Sequence, residues 1–254
     1  MIENLFVFVI GTVFGSFYNV VIYRMPRDIS FIKGRSTCPY CGVVLQPLDL
    51  VPVLSQLLLM GKCRYCNAKI SLRYPCIEII TGILFIISYL QNGFTFTFLY
   101  YTVFWSMLLI VAMIDYDHMI IMDAILLFFG SFAFIYIIVA KMPLKAHLSG
   151  AVLGFAIYFA IFFISRLIYK EEAFGLGDIY LMAAIGLYLG ASKSLLTAFM
   201  SFFVALAGII IMAVIGKKLH AREALPFGPY MCIAAFIASL FGDKLINLYF
   251  SIAF

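Results

Sequence analysis

Charge is scarce in this chain. Lys and Arg number 17 and Asp and Glu 12 among 254 residues, or 11%, where a soluble domain carries about 25%. So little charge cannot cover a water-facing surface, which excludes an ordinary soluble globular protein. The formal charge of +5 is modest, and no nucleic-acid partner is expected. A basic region ahead of the first apolar run is also missing. Glu3 stands there instead, and the run is long enough to span a bilayer, so a cleavable signal peptide is not expected. There is no internal repeat and no low-complexity tract. No glycine-rich nucleotide loop occurs within residues 24–74.

Apolar sequence is abundant. Hydrophobic residues make up 65% of the chain, and the mean hydropathy is +1.12. A spanning helix needs roughly 20 apolar residues. The expected fold is therefore an all-α membrane protein of about eight transmembrane helices with a small cytoplasmic zinc-binding loop domain. The predicted spans are 4–23, 75–91, 95–114, 120–140, 147–166, 178–192, 195–216 and 228–241, with a short amphipathic surface tail over 243–254. Gly11 and Gly15, four residues apart, suit close helix approach in the first span. The domain reading is a first helix over 1–23, a tetra-cysteine loop over 24–74 and a membrane-embedded remainder over 75–254.

Eight spans put both termini on one side. Thirteen of the 17 basic residues fall in 24–74, 166–177 and 217–227, and four (Lys141, Lys145, Lys193, Lys244) fall in the opposite loops. Cytoplasmic loops carry the excess of Lys and Arg, so the cysteine-bearing loop is expected inside and both termini outside. The loop 24–74 is too small to build a core of its own.

Two knuckles within that loop supply the missing support. Cys38-Pro-Tyr-Cys41 and Cys63-Arg-Tyr-Cys66 are separated by 21 residues, the pattern of a four-thiolate zinc site. Arg35, Lys62 and Arg64 nearby favour thiolates. Thiols in the cytoplasm stay reduced, so metal is preferred over disulfide. Four thiolates leave no open coordination position, which makes the zinc structural. Cys76 and Cys232 lie in apolar context and read as small buried hydrophobes.

Carboxylates at membrane depth are costly and mark functional sites. Asp115, in Ile114-Asp115-Tyr116-Asp117-His118, and Asp178, in Gly175-Leu176-Gly177-Asp178, fall at the same boundary in this topology. Two close carboxyls share one proton, which suits acid proteolysis. The glycines ahead of Asp178 suit close backbone approach. Asp178 opens a helix and Asp115 closes one, so the helix dipoles place the shared proton on Asp115. Asp117, His118 and Asp123 read as boundary residues in contact with water. Other readings of the same residues remain: Asp178 as a helix cap, or the pair as an ion or proton pathway.

Several longer motifs resemble the prepilin peptidases, GxGD aspartyl proteases that cleave the leader of type IV pilin-like precursors and N-methylate the product. The matching segments are Gly15-Ser16-Phe17-Tyr18-Asn19-Val20-Val21-Ile22-Tyr23-Arg24-Met25-Pro26, the paired knuckles, Ile70 to Glu78, the two aspartate motifs, and Leu225-Pro226-Phe227-Gly228-Pro229. One departure is Ile121-Met122-Asp123, where the family often has Leu-Pro-Asp. The resemblance implies Asp115 and Asp178 as catalytic residues, supported by Gly175 and Gly177, with zinc on Cys38, Cys41, Cys63 and Cys66. It implies a bacterial cytoplasmic membrane location, pilin or pseudopilin precursors as substrates, and S-adenosylmethionine as methyl donor. Asn19, Arg73 and Glu78 are methyltransferase candidates on that ground alone. Taken as residues, Arg73 and Glu78 also suit a boundary salt bridge, Asn19 a helix–helix hydrogen bond, and Pro226 and Pro229 a helix start.

Overall fold

The structure is a computed structural model and describes residues 2–169, 175–216 and 225–253. Lys170, Lys217, Lys218 and Arg222, which contribute to the charge asymmetry, lie outside the described residues. Nine α-helices are described: α1 Ile2–Arg24, α2 Leu54–Leu58, α3 Arg73–Asn92, α4 Phe96–His118, α5 Asp123–Val139, α6 Leu144–Tyr169, α7 Leu176–Leu189, α8 Ala191–Val214 and α9 Gly228–Ala253. Among the described residues there are no strands, only two isolated β-bridges.

Six of these helices (α1, α3, α4, α6, α8 and α9) are long and apolar enough to cross a membrane. Two others, α5 and α7, are apolar but shorter, at 17 and 14 residues. Large apolar side chains such as Leu5, Leu127, Phe163 and Phe203 face outward, as expected when the solvent is lipid. The predicted surface tail over 243–254 differs from what is found, because α9 runs unbroken from Gly228 to Ala253. Nothing in Gly242-Asp243-Lys244 stops the helix, and the Lys193 ammonium donates to Asp243 Oδ2 at 2.8 Å across to α8.

The chain divides into two compact units, 1–102 and 103–254. In the first, α1 packs on α3. A β-carbon on Gly11 would lie 2.7 Å from Gly82 Cα, and one on Gly15 would lie 2.7 Å from Glu78 Cα. The glycine pair therefore brings two backbones together and sets Glu78 against α1. Asn19 Nδ2 donates to the Tyr74 carbonyl at 3.1 Å, a hydrogen bond between the same two helices. Cys76 is exposed and does not follow the buried-hydrophobe expectation. In lipid an outward face is apolar too, so apolar neighbours do not distinguish inside from outside.

In the second unit α7 is central, packed against α5, α6, α8 and α9. Its buried face carries Asp178, Leu181, Met182, Ile185 and Tyr188. Tyr188 donates its hydroxyl to the Phe129 carbonyl at 2.8 Å, and Tyr158 on α6 shares a 2.7 Å hydrogen bond with Ser201 on α8. These bonds satisfy the polar tips of rings that are otherwise fully enclosed.

Candidate active site and metal centre

The two knuckles of the first unit have the same local construction. In the first, Gly42 N–H donates to the Cys38 carbonyl at 2.9 Å and Cys38 N–H to the Val43 carbonyl at 3.0 Å. In the second, Asn67 N–H donates to the Cys63 carbonyl and Cys63 N–H to the Ala68 carbonyl, both at 2.9 Å. The residue after the second cysteine is left-handed in each, Gly42 at φ 71° and Asn67 at φ 55°. Glycine and asparagine are the residues that tolerate this conformation. A β-bridge closes each turn, Thr37 with Val44 and Lys62 with Lys69.

The two turns bring Cys38, Cys41, Cys63 and Cys66 together with all four sulphurs within 4.8 Å of one another. Cys38 and Cys63 are buried, and Cys41 and Cys66 are exposed. The backbone N–H groups of Cys41 and Tyr40 hold the Cys38 thiol down to about 6. The Ala68 N–H favours the Cys66 thiolate, but local desolvation of its sulphur among the other cysteines and hydrogen bonds with them push that thiol up to about 12. Negative charge on all four sulphurs at once is opposed by their proximity. A divalent cation relieves that opposition, and the donor set is the one zinc prefers.

Arg24, counted above only as a charge, organises the loop's path. Its guanidinium donates to the carbonyls of Ser30, Lys33 and Arg35, each at 3.0 Å. Asp49 ties the second knuckle to the turn over Pro47–Leu50. It pairs with Arg64 Nε at 2.8 Å and accepts from the Tyr65 hydroxyl at 3.3 Å.

Glu78 is 7% exposed. Its Oε2 accepts the Val53 N–H at 2.7 Å, and the Ser16 hydroxyl also bonds its carboxyl. The salt-bridge reading with Arg73 is not what the structure records for Glu78. Arg73 opens α3, where its N–H donates to Ser71 Oγ at 3.2 Å.

In the second unit, Asp115 is 5% exposed and Asp178 9%, whereas Asp117 and Asp123 are exposed. The two buried acids lie within electrostatic reach of each other, and the buried Cys232 lies within reach of both. Asp178 sits in the first turn of α7, where its Oδ2 accepts the Gly175 N–H at 3.0 Å. It is therefore a capping residue as well as a site residue.

Asp115 sits near the end of α4, and its Oδ2 accepts the Gly228 N–H at 3.0 Å. Gly228 opens α9, following Phe227, whose carbonyl accepts from Tyr230 and Met231. Asp115 thus borrows the N-terminus of a second helix. Both carboxyls stand at positive helix ends, which removes the basis for placing the shared proton on Asp115.

Two glycines are needed sterically. A β-carbon on Gly177 would meet Ile121 Cβ at 2.8 Å, and one on Gly228 would meet Asp115 Oδ2 at 2.7 Å. Gly175 is less confined, its nearest contact being Asp178 Oδ2 at 3.6 Å. The sequence marked Gly228 only as part of a motif. Its N–H function depends on a partner 113 positions away.

Long apolar helices, a buried carboxyl pair and a four-thiol cluster are together compatible with a membrane peptidase. The model of the bacterial peptidase A24 N-terminal domain matches residues 9–92, and that of the type IV leader peptidase family matches residues 102–216. The prepilin leader peptidase/N-methyltransferase of Bacillus subtilis is 37% identical over 256 residues, covering 100% of this chain and 99% of that protein. The protein of the same name from Pseudomonas aeruginosa is 31% identical, covering 96% of this chain and 92% of that protein. Another from Neisseria gonorrhoeae is also 31% identical, covering 93% and 90%. The chain belongs to the type IV leader peptidase family. No solved structure matches it.

Proposed function

We propose that this protein is a membrane aspartyl endopeptidase that removes the leader of type IV pilin-like precursors and N-methylates the new N-terminus. Asp115 and Asp178 are the catalytic residues of this reading. The observation that carries it is the matched anchoring of the two acids. Each is buried and fixed by one backbone N–H through Oδ2. Among the described residues, no hydrogen bond to the protein occupies the second oxygen of either carboxyl.

Those second oxygens can work on a peptide bond. One carboxylate accepts a proton from water as the water oxygen attacks the scissile carbonyl carbon. The other, protonated, carboxyl donates a hydrogen bond to the carbonyl oxygen. Collapse breaks the C–N bond, and a proton passes to the leaving amine. The burial of both acids strengthens these interactions. Gly175 and Gly228 hold the acids in place, and Gly177 lets the Asp178 turn approach Ile121.

The four cysteines would hold zinc as a structural ion that fixes the two knuckles. S-adenosylmethionine would supply the methyl group for the new terminal amine, which would give up a proton in exchange. Arg73 remains a candidate for that activity from its motif alone.

All eight longer helices cross the membrane in this reading. The support is parity within the second unit. The C-terminal part of α4 and the first turns of α7 and α9 meet at one site. With α6 and α8 crossing, α5 and α7 must also cross for those ends to share one side. The excess of Lys and Arg in the basic loops, the cysteine loop among them, supports a cytoplasmic face for those loops and both termini outside.

Cleavage of a pilin precursor in liposomes tests the peptidase. Asp115→Asn and Asp178→Asn, at equal folded yield, are each expected to lose about 10²–10⁴-fold in rate. Normal cutting by either variant would remove that residue from the catalytic pair.

A further inference from the structure

Polarity is inverted along α2. Leu54, Leu57 and Leu58 share one face by their spacing, and that face is exposed. Met60, just beyond the helix, is exposed as well; Leu58 reaches 80% and Met60 85%. Ser55 is buried and Gln56 half-buried, and both line an internal cavity of about 480 Å³. A short helix in a loop surrounded by water would turn its serine and glutamine outward and bury its leucines. The reverse arrangement leaves a contiguous apolar patch, the mark of a partner or a membrane.

The depth of α2 is fixed by α3. Val53, the residue before α2, donates its N–H to Glu78 Oε2 at 2.7 Å. Val53 takes φ 61°, a conformation that β-branched residues rarely adopt and that needs such a tether to hold it. Helix α3 runs over 20 residues, which at 1.5 Å each cover about 30 Å, the thickness of the hydrocarbon core with nothing to spare. Glu78 stands five positions after Arg73, so the tether meets α3 about 7.5 Å from its start. An interfacial helix seats its apolar face about 5–10 Å into the boundary between headgroups and acyl chains. Leu72, at the same end of α3, is also exposed. Two cations follow the apolar segment. Lys62 and Lys69 oppose each other across the bridge that closes the second knuckle, and both are exposed. Among the described residues neither has an ion-pair partner.

We propose that residues 54–60 form an interfacial anchor, with the leucines and Met60 inserted into the lipid leaflet at the start of α3 and with Lys62 and Lys69 on anionic lipid headgroups. That leaflet is the cytoplasmic one in the reading above. The inference rests on α3 crossing the membrane. Depth and charge both favour lipid as the occupant: the tether to Glu78 holds α2 beside the first turns of a spanning helix, and unpaired lysines flank the apolar segment. Lysine stems lie along apolar surface while their ammonium groups reach the phosphates. Cys63 follows Met60 by three positions, so the anchor moors the second knuckle to the membrane surface.

The test uses the full-length, zinc-loaded protein in proteoliposomes, with tryptophan introduced as Leu58→Trp and, for a second probe, as Met60→Trp. Each is used at wild-type zinc content and elution. The one native tryptophan, Trp105, is buried and gives a constant background. Both probes are expected to emit to the blue of a water-exposed tryptophan, to resist aqueous iodide, and to lose at least about half their emission when the lipid chains are brominated. At equal mole fraction, brominated phosphatidylglycerol should quench more than brominated phosphatidylcholine, and Lys62→Gln with Lys69→Gln should abolish that difference. Quenching of both probes by iodide and not by brominated chains would overturn the anchor. Equal quenching by the two lipids with both lysines present would overturn the headgroup contact. Protection from both quenchers, lost as the protein is diluted in lipid, would show a second copy on this face and overturn the lipid assignment. Ile83→Trp, on the exposed side of α3, separates these results from a failure of α3 to cross, because brominated chains must quench it if α3 spans.

Discussion

Replacing Gly228 by alanine tests whether the Asp115 carboxyl is positioned by the start of α9. The added β-carbon would lie 2.7 Å from Asp115 Oδ2 and 3.1 Å from its Cγ. Ordinary contact begins near 3.4 Å, so the carboxyl must retreat by the difference, about 0.7 Å, in surroundings packed too densely to absorb it freely. That retreat breaks or stretches the 3.0 Å bond from the Gly228 N–H. A hydrogen bond to a charged group contributes about 1.5–3 kcal/mol. At about 1.4 kcal/mol per tenfold, kcat should fall by about 10- to 150-fold. KM should change little, because the substitution perturbs a carboxyl at the proposed reaction centre and leaves the remaining packing in place.

The assay is the initial rate of precursor cleavage in proteoliposomes, with folded yield checked by size exclusion. Gly130→Ala is the control. Nothing lies within 4 Å of its added carbon, and replacing a glycine within helix α5 should stabilise the fold by up to about 1 kcal/mol at unchanged rate. A Gly228→Ala enzyme with wild-type kcat would refute the reasoning, since Asp115 would then not depend on that contact.

Two further outcomes are expected. Gly177→Ala should slow cleavage by about tenfold or more, because its β-carbon would meet Ile121 Cβ at 2.8 Å and displace the turn that carries Asp178. Removing the opposing carbon with Ile121→Gly in the same protein should restore part of the rate, and a double variant no faster than the single would argue against this contact. Metal analysis of purified protein should give about one zinc per chain. Stripping it with a chelator should expose the 36–70 loop to proteolysis, and a loop equally resistant without metal would remove the structural role.

Much of the site is legible in the sequence because it rests on local rules. Low charge and long apolar runs identify the solvent as lipid. The C-x-x-C spacing identifies a thiol cluster, since each knuckle is a short-range turn whose geometry Gly42 and Asn67 already favour. Two acids at one boundary draw attention because burial there is expensive. Cys76 escapes this logic, since apolar neighbours mean the same thing to a core-facing and a lipid-facing side chain. The ends of α9 escape it as well, because a helix in lipid continues through Asp243 and Lys244 when a partner on α8 takes the charge.

The sequence by itself determined the membrane class, the thiol cluster and the identity of the two buried acids. Composition, periodicity and close spacing are properties of the chain before it folds. Tertiary structure alone decided how the acids are held. Asp115 ends one helix by sequence yet sits at the N-terminus of another, through a bond to Gly228 that only helix packing can create. The same holds for Glu78, whose carboxyl reaches Val53 only because α1 and α3 meet at Gly11 and Gly15 and the loop folds back over them. Contacts between residues far apart in the chain depend on how helices dock, and no local pattern encodes that geometry.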